Sequence, residues 1–293
     1  MVTKEVKEKI LTAMKARRSN YSSDNKFAIM LGINSSQYNR IKNGELERVI
    51  SDANWISIAR KLEVTLTDLP VWQVAKTPVY DYVNAQLEIC QKNSSSLLLC
   101  DYSDIGKSFI AKHYCKTHQN AIYIDCSQTK SKYKLVRKIG KEFGVGQKGT
   151  YTEVYEDLTY YLRSLEEPLI ILDEAGDLEY SAFLELKALW NATEHYCGWY
   201  MMGADVLQRK IMRGIAYQKV GYPEIFTRYG SDCCRVMAQT EKELKRERDL
   251  IVAIIAKANA EPEWEIGELV RIANGSPRRL YKEIMKRRAM SMN

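Results

Sequence analysis

The spacing of apolar and polar positions changes character several times along the chain. Residues 3–18, 24–31, 35–43 and 52–61 carry apolar side chains at helical intervals, with Gly32 and Gly44 as breaks. Between Thr65 and Val79 no period holds, and Pro70 and Pro78 flank Trp72, which predicts a linker. A helix is expected from Tyr80 to Lys92. Beyond it, short apolar runs alternate with amphipathic stretches. Strands are expected at 96–101, Ala121–Asp125, Pro168–Leu172, Gly198–Met202 and near Cys233–Ala238. Helices are expected at 107–117, 131–143, 151–165 and 180–195. Such alternation predicts a parallel sheet covered on both faces, hence an α/β fold. The last fifty residues return to helical spacing over Glu241–Ala258, Ile266–Ala273 and a segment opening Gly275-Ser-Pro-Arg-Arg-Leu280, with Pro277 suited to a first helical position. The expected organisation is a small all-α domain at 1–68, a linker at 69–79, an α/β core at 80–240 and a helical lid at 241–293.

Composition narrows the class. A chain of 293 residues with 45% hydrophobic content has room for one large and one small core. It contains no run of about 18 apolar residues, and its first ten residues alternate charge with apolar side chains, unlike a signal peptide. A cytoplasmic protein without a membrane partner is expected. The seven cysteines include no C-x-x-C pair and several fall in expected strands, so neither disulfides nor a zinc site is expected. His113, Cys115 and His118 lie along one helix without a partner motif and are read as structural. The net charge of +7 points toward a polyanionic partner, although modest basicity is also common in proteins that bind nothing acidic.

The sharpest local signal is Asp101-Tyr-Ser-Asp-Ile-Gly-Lys-Ser108, a phosphate-loop pattern that lacks its usual first glycine. The loop leaves a strand and enters a helix, so the amides of Asp104, Ile105, Gly106, Lys107, Ser108 and Phe109 are expected to face phosphates. Lys107 would reach the β- and γ-phosphates of ATP, and Ser108 would ligate Mg²⁺. Leu169-Ile-Ile-Leu-Asp-Glu174 follows, a buried strand bringing Asp173 to the metal side and Glu174 to an attacking water. Asp101 and Asp104 add carboxylates to a loop meant for anions. If they point to solvent, the loop's backbone alone faces the nucleotide; their presence makes hydrolysis less secure than binding.

Lys26-Phe-Ala-Ile-Met-Leu-Gly-Ile-Asn-Ser-Ser-Gln-Tyr-Asn-Arg-Ile-Lys-Asn-Gly44 sets Ala28 where two helices touch and Gly32 at a turn. This pattern resembles the helix-turn-helix of phage-repressor-like DNA-binding domains. The resemblance implies that Ser36, Gln37, Asn39 and Arg40 face base edges or phosphates and that Lys42 faces the backbone of double-stranded DNA. The competing reading is a helical oligomerisation domain. Lys130, Lys132, Tyr133, Lys134, Arg137 and Lys138 form a basic stretch suited to non-specific phosphate contact, although a solvated helix face has the same composition.

Taken together, the phosphate loop, the acidic strand, the strand ending near Asp205, Thr227-Arg228 and Gly-Ser-Pro-Arg278 resemble an AAA+ ATPase over residues 78–290. The resemblance implies that Arg278 is the second sensor, that Arg228 is an arginine finger acting on a neighbouring subunit, and that Ala204 or Asp205 stands at the first sensor, where Asp is a poor match. With the N-terminal domain ahead of it, the chain is similar to the Mu B-like transposition regulators. That similarity implies slow, DNA- or assembly-stimulated ATP hydrolysis, self-association into a ring or helical filament on duplex DNA, target selection and activation of a transposase. The alternatives are a nucleotide-sensing transcription regulator and a helicase-loader-type ATPase.

Overall fold

The computed structural model describes residues 2–64, 72–146 and 149–291; the first part of the expected linker, 65–71, lies outside them. The N-terminal unit contains α1 (Lys4–Arg18), α2 (Asp24–Leu31), α3 (Ser35–Lys42) and α4 (Asp52–Leu62). Each of the four opens on a side-chain cap, from Thr3, Ser23, Asn34 and Ser51 respectively. Ile10, Met14, Phe27, Leu31, Ile41, Trp55 and Ile58 fill its core.

The central body contains a four-stranded parallel sheet of β1 (Ser96–Cys100), β2 (Ala121–Asp125), β3 (Leu169–Asp173) and β4 (Gly198–Gly203), in the order β1-β4-β3-β2. Because neighbouring side chains on a strand point to opposite faces, nearly continuous apolar runs bury both sides. One face packs Leu98, Ile124, Leu172 and Trp199 against α7 (Lys132–Glu142), α8 (Tyr151–Ser164), α9 (Tyr180–Ala192), α10 (Asp205–Ala216) and α11 (Tyr222–Arg228). The other packs Leu99, Ile171, Tyr200 and Met202 against α5 (Pro78–Lys92) and α6 (Lys107–Thr117). Helix α5 begins at Pro78, inside the stretch expected to be linker.

Two features depart from the sequence expectation. Helices α10 and α11 occupy a region for which no helix was expected. The fifth strand near Cys233–Ala238 is reduced to one bridge, Leu99 with Cys234. Its ladder stops because the next amides, Val236 N and Met237 N, donate to the Asp101 side chain.

The lid consists of α12 (Glu241–Asn259), α13 (Ile266–Ala273) and α14 (Pro277–Ser291), packed on Val252, Leu269, Leu280 and Ile284. Gln73 and Asn259 exchange hydrogen bonds of 2.8 and 3.1 Å, which fastens the segment before α5 to the lid.

The N-terminal unit is seated on the core. Asn20 Nδ2 donates to Cys115 O and Lys116 O, both at 3.1 Å, capping carbonyls at the C-terminal end of α6. Ser22 and Tyr161 share a 2.8 Å hydrogen bond, and Lys26 lies 3.9 Å from the centre of the Tyr161 ring. Gly144, at φ +72°, allows the closest approach: a Cβ there would stand 2.2 Å from Lys26 O. Gly144→Ala should therefore push the N-terminal unit off the core. Small-angle scattering should report a larger radius of gyration, with the thermal transition of the sheet little changed.

Candidate functional site

The turn between β1 and α6 is built around Gly106, whose φ of +100° is costly for any residue with a Cβ. Unlike the helices of the N-terminal unit, α6 has no side-chain cap, so its first-turn amides remain available to an external acceptor. The Lys107 side chain folds over the loop, with Nζ donating to Asp101 O at 2.8 Å and to Tyr102 O. Burial lowers its pKa, and the Asp101, Asp173 and Glu174 carboxylates oppose that shift. Ile105 points into the core, so its backbone alone is left for a ligand.

The two loop carboxylates do not point to solvent. Asp101 is fully buried; Oδ1 accepts from Tyr102 N at 2.7 Å, and Oδ2 accepts from Val236 N at 2.6 Å and Met237 N at 3.0 Å. Its charge is spent on backbone behind the loop. Asp104, in the left-handed region at φ +61°, accepts from Ser276 Oγ and from Arg278 N at 3.3 Å. The Arg278 guanidinium lies 3.5 Å from the same carboxylate. The loop is thereby tied to the start of α14.

At the end of β3, Asp173 is almost completely buried. It accepts from Glu174 N at 2.9 Å and from the Tyr123 hydroxyl at 2.6 Å. Burial and the Asp173 carboxylate push the Tyr123 phenol up. Glu174 takes a left-handed conformation at φ +50°, and burial, then the neighbouring Asp173 charge, raises its pKa. That shift suits a carboxylate that must accept a proton.

Some of these groups line a cavity of about 480 Å³, whereas Asp101, Tyr123 and the expected metal ligand Asp173 lie behind its wall and not in its lining. Asp104, Gly106, Lys107, Ser108 and Phe109 line it from the loop side, Glu174 from just beyond β3, Ile255 from α12, and Arg278 and Tyr281 from α14. Trp72 closes one end, its ring 4.9 Å from that of Tyr281. Sequence reasoning did not single out Trp72, Tyr281 or Tyr123 for the site. An aromatic set between two prolines was the available signal for Trp72. A larger groove of about 860 Å³ along α10 has no phosphate-type loop and no acidic side chain in its lining.

Several expected residues lie away from this cavity. Arg228 donates through Nε to Asn191 Oδ1 at 2.9 Å and covers the Trp190 ring. Asp205 opens α10 and pairs with Arg235 at 2.5 Å instead of lining the cavity. On α3, Ser36 and Asn39 are exposed, whereas Gln37 is held in a capping box with Asn34. Arg40 pairs with Glu45 and Lys42 with Asp24, both at 2.9 Å. Around the start of α7, Lys130 lies 3.7 Å from Asp177 and Lys132 faces the Tyr133 and Tyr151 rings. Lys134 is exposed.

Residues 90–211 match the family described as AAA domain. The fold is that of an AAA+ P-loop protein. Among solved structures, this chain is similar to the Aeropyrum pernix Orc1 protein in complex with DNA, with a TM-score of 0.52 and 16% identity. The match covers 74% of this chain and 62% of that one, so this chain spans less than two thirds of its length. Comparison with curated proteins gives no match.

The Asp101 geometry makes the usual glycine unwelcome at its own position in this loop. Asp101→Gly should leave three amides without their charged acceptor and cost about 3 kcal/mol. Chemical denaturation should show the loss; equal or greater stability in the variant would contradict the role given to this carboxylate.

Proposed function

We propose that this chain is an ATP-dependent, DNA-binding AAA+ ATPase. It assembles on duplex DNA as a ring or helical filament, selects target DNA and activates a transposase. The observation that carries the reading is the division of the reactive groups. Lys107, Ser108, Glu174 and Arg278 line one cavity, while Arg228 lies outside it on α11. A subunit built this way is completed by a neighbour, which makes turnover depend on assembly.

The site fits a nucleotide. Its volume is within the range of small-ligand pockets, and its wall carries uncapped amides, a lysine and the paired rings of Trp72 and Tyr281. The loop amides and Lys107 would hold phosphates, with the Trp72 and Tyr281 rings beside the base. Ser108 and Asp173 would hold Mg²⁺, which when bound neutralises phosphate charge. Glu174, with its raised proton affinity, is positioned to orient water and take its proton. Arg278 would sense the terminal phosphate from the lid, in exchange for its contact with Asp104.

DNA contact is supported by the exposed Ser36, Asn39, Arg40 and Lys42 on α3, and by Lys130, Lys132 and Lys134 at α7. It is also supported by the DNA complex of the similar Orc1 structure. A nucleotide-sensing transcription regulator is the second reading. It is favoured by Asp205, which is turned to Arg235 and leaves the first-sensor place without a residue at the cavity.

Electron microscopy with random-sequence duplex separates the two. Continuous assemblies with ATP, absent with ADP or without nucleotide, support the ATPase reading; discrete dimers on one preferred sequence would replace it with the regulator. Lys107→Ala should weaken ATP binding roughly 100-fold, about 2.7 kcal/mol, and abolish assembly. Unaltered affinity by calorimetry would remove Lys107 from the site. Glu174→Gln should bind ATP but hydrolyse it roughly 100-fold more slowly, and so persist in the assembled state. Arg228→Ala should lower turnover while sparing binding, and mixing it with Glu174→Gln should restore part of the activity. Failure of every mixing ratio would remove the case for action in trans.

A further inference from the structure

The N-terminal unit and the core enclose a second cavity of about 520 Å³, lined from α1, α4, α6, β2 and α7. The carboxylates on its wall are already engaged. Glu63 lies 2.6 Å from Lys116 and 3.9 Å from Lys112, Glu142 lies 2.6 Å from Lys138, and Asp125 accepts from Ser127 and Gln128. Four further cations line the same space: Arg17, Arg60, Lys61 and Lys141. Among the described residues none of these four is in an ion pair, and Lys61 Nζ is engaged only by a neutral acceptor, the Leu31 carbonyl. Arg17 Nε is buried without a hydrogen-bond partner.

The repulsion among them is visible in Lys61. Its pKa is pushed down to about 8, first by burial and then by the Lys141 charge; Glu142 opposes this, and Arg60 and Lys138 add to it. Converging cations in a partly enclosed space are costly unless an anion joins them. Among the described residues the one aromatic ring on the wall, Tyr123, already donates its hydroxyl to Asp173, and the rest of their lining is mainly polar and charged. A duplex is too wide to enter. Small size, several negative charges and many acceptor oxygens are the properties the space selects.

We infer that this junction binds a compact polyphosphate anion of the pyrophosphate or tripolyphosphate class, held by Arg17, Arg60 and Lys61 of the N-terminal unit and by Lys141 of the core. Such a ligand clamps the two units together, because three of its cations belong to one and the fourth to the other. Tyr123 and Lys112 share the wall, so the clamp is also one side chain away from Asp173.

The test is titration calorimetry of sodium tripolyphosphate into the full chain and into Arg60→Gln/Lys141→Gln. Neither residue is in an ion pair or lines the phosphate-loop cavity, so folding and the first site are spared. With excess ATP present, the unaltered chain should still bind tripolyphosphate, and the double variant should bind it at least 10-fold more weakly. Identical isotherms for the two proteins overturn the inference. Displacement of tripolyphosphate by random duplex DNA at equal phosphate concentration also overturns it, by assigning these cations to the DNA backbone. If ATP does not bind at all, the comparison without ATP still reads the junction, so failure of the nucleotide site and failure of this one are separable.

Discussion

The buried carboxylate of Asp101 is the interaction on which the geometry of the phosphate loop depends. A charge removed from water is tolerable only when several donors converge on it, and three backbone amides do so. Two of them come from the segment beyond the edge of β1, which leads directly into α12 and the lid. Loop and lid are therefore anchored to one group. The arrangement also explains how an acidic residue can stand in a loop of the phosphate-binding pattern: its carboxylate is satisfied by backbone donors, while the first-turn amides of α6 carry no side-chain cap.

Asp104 extends the same logic to the front of the loop. It joins Ser276 and Arg278 at the opening of α14, so a carboxylate occupies the place next to Arg278 that a phosphate would compete for. Asp101 fixes the base of the lid more firmly, since its carboxylate is buried and its contacts are to backbone. Asp104 holds the tip through partly exposed contacts, which exchange readily with water or a ligand. One loop thus carries a rigid attachment and a releasable one.

Much of this architecture was legible because its physics is local. Strands Leu169–Asp173 and Ala121–Asp125 are apolar runs with an acidic end, and the Gly106-Lys107-Ser108 turn has few other meanings after a strand. The edge strand was misread for a non-local reason: Val236 and Met237 have strand composition, but their amides belong to Asp101, which is distant in sequence. Helices α10 and α11 were missed among the punctuating Gly203, Gly214, Gly221 and Gly230. Gly214 is inside a helix because the Tyr222 ring lies where its Cβ would be, a packing demand that no window of sequence displays. Trp72 is held at the cavity by distant partners, the Tyr281 ring and the Asn259 side chain that fastens the adjoining Gln73.

Helix α6 connects the two cavities. Its N-terminal end carries Lys107 and Ser108, and its C-terminal carbonyls are capped by Asn20 of the N-terminal unit, about 16 Å away for 11 residues. Lys112 and Lys116, between these ends, pair with Glu63 of the same unit. A short helix transmits displacement as a rigid element, because bending it would break backbone hydrogen bonds along its length. A shift of the phosphate loop therefore moves the surface on which the N-terminal unit rests, and a ligand that clamps that unit resists the shift. The expected DNA-contacting helix α3 belongs to the unit seated on α6, so under the proposed function nucleotide state and DNA engagement would share one mechanical link.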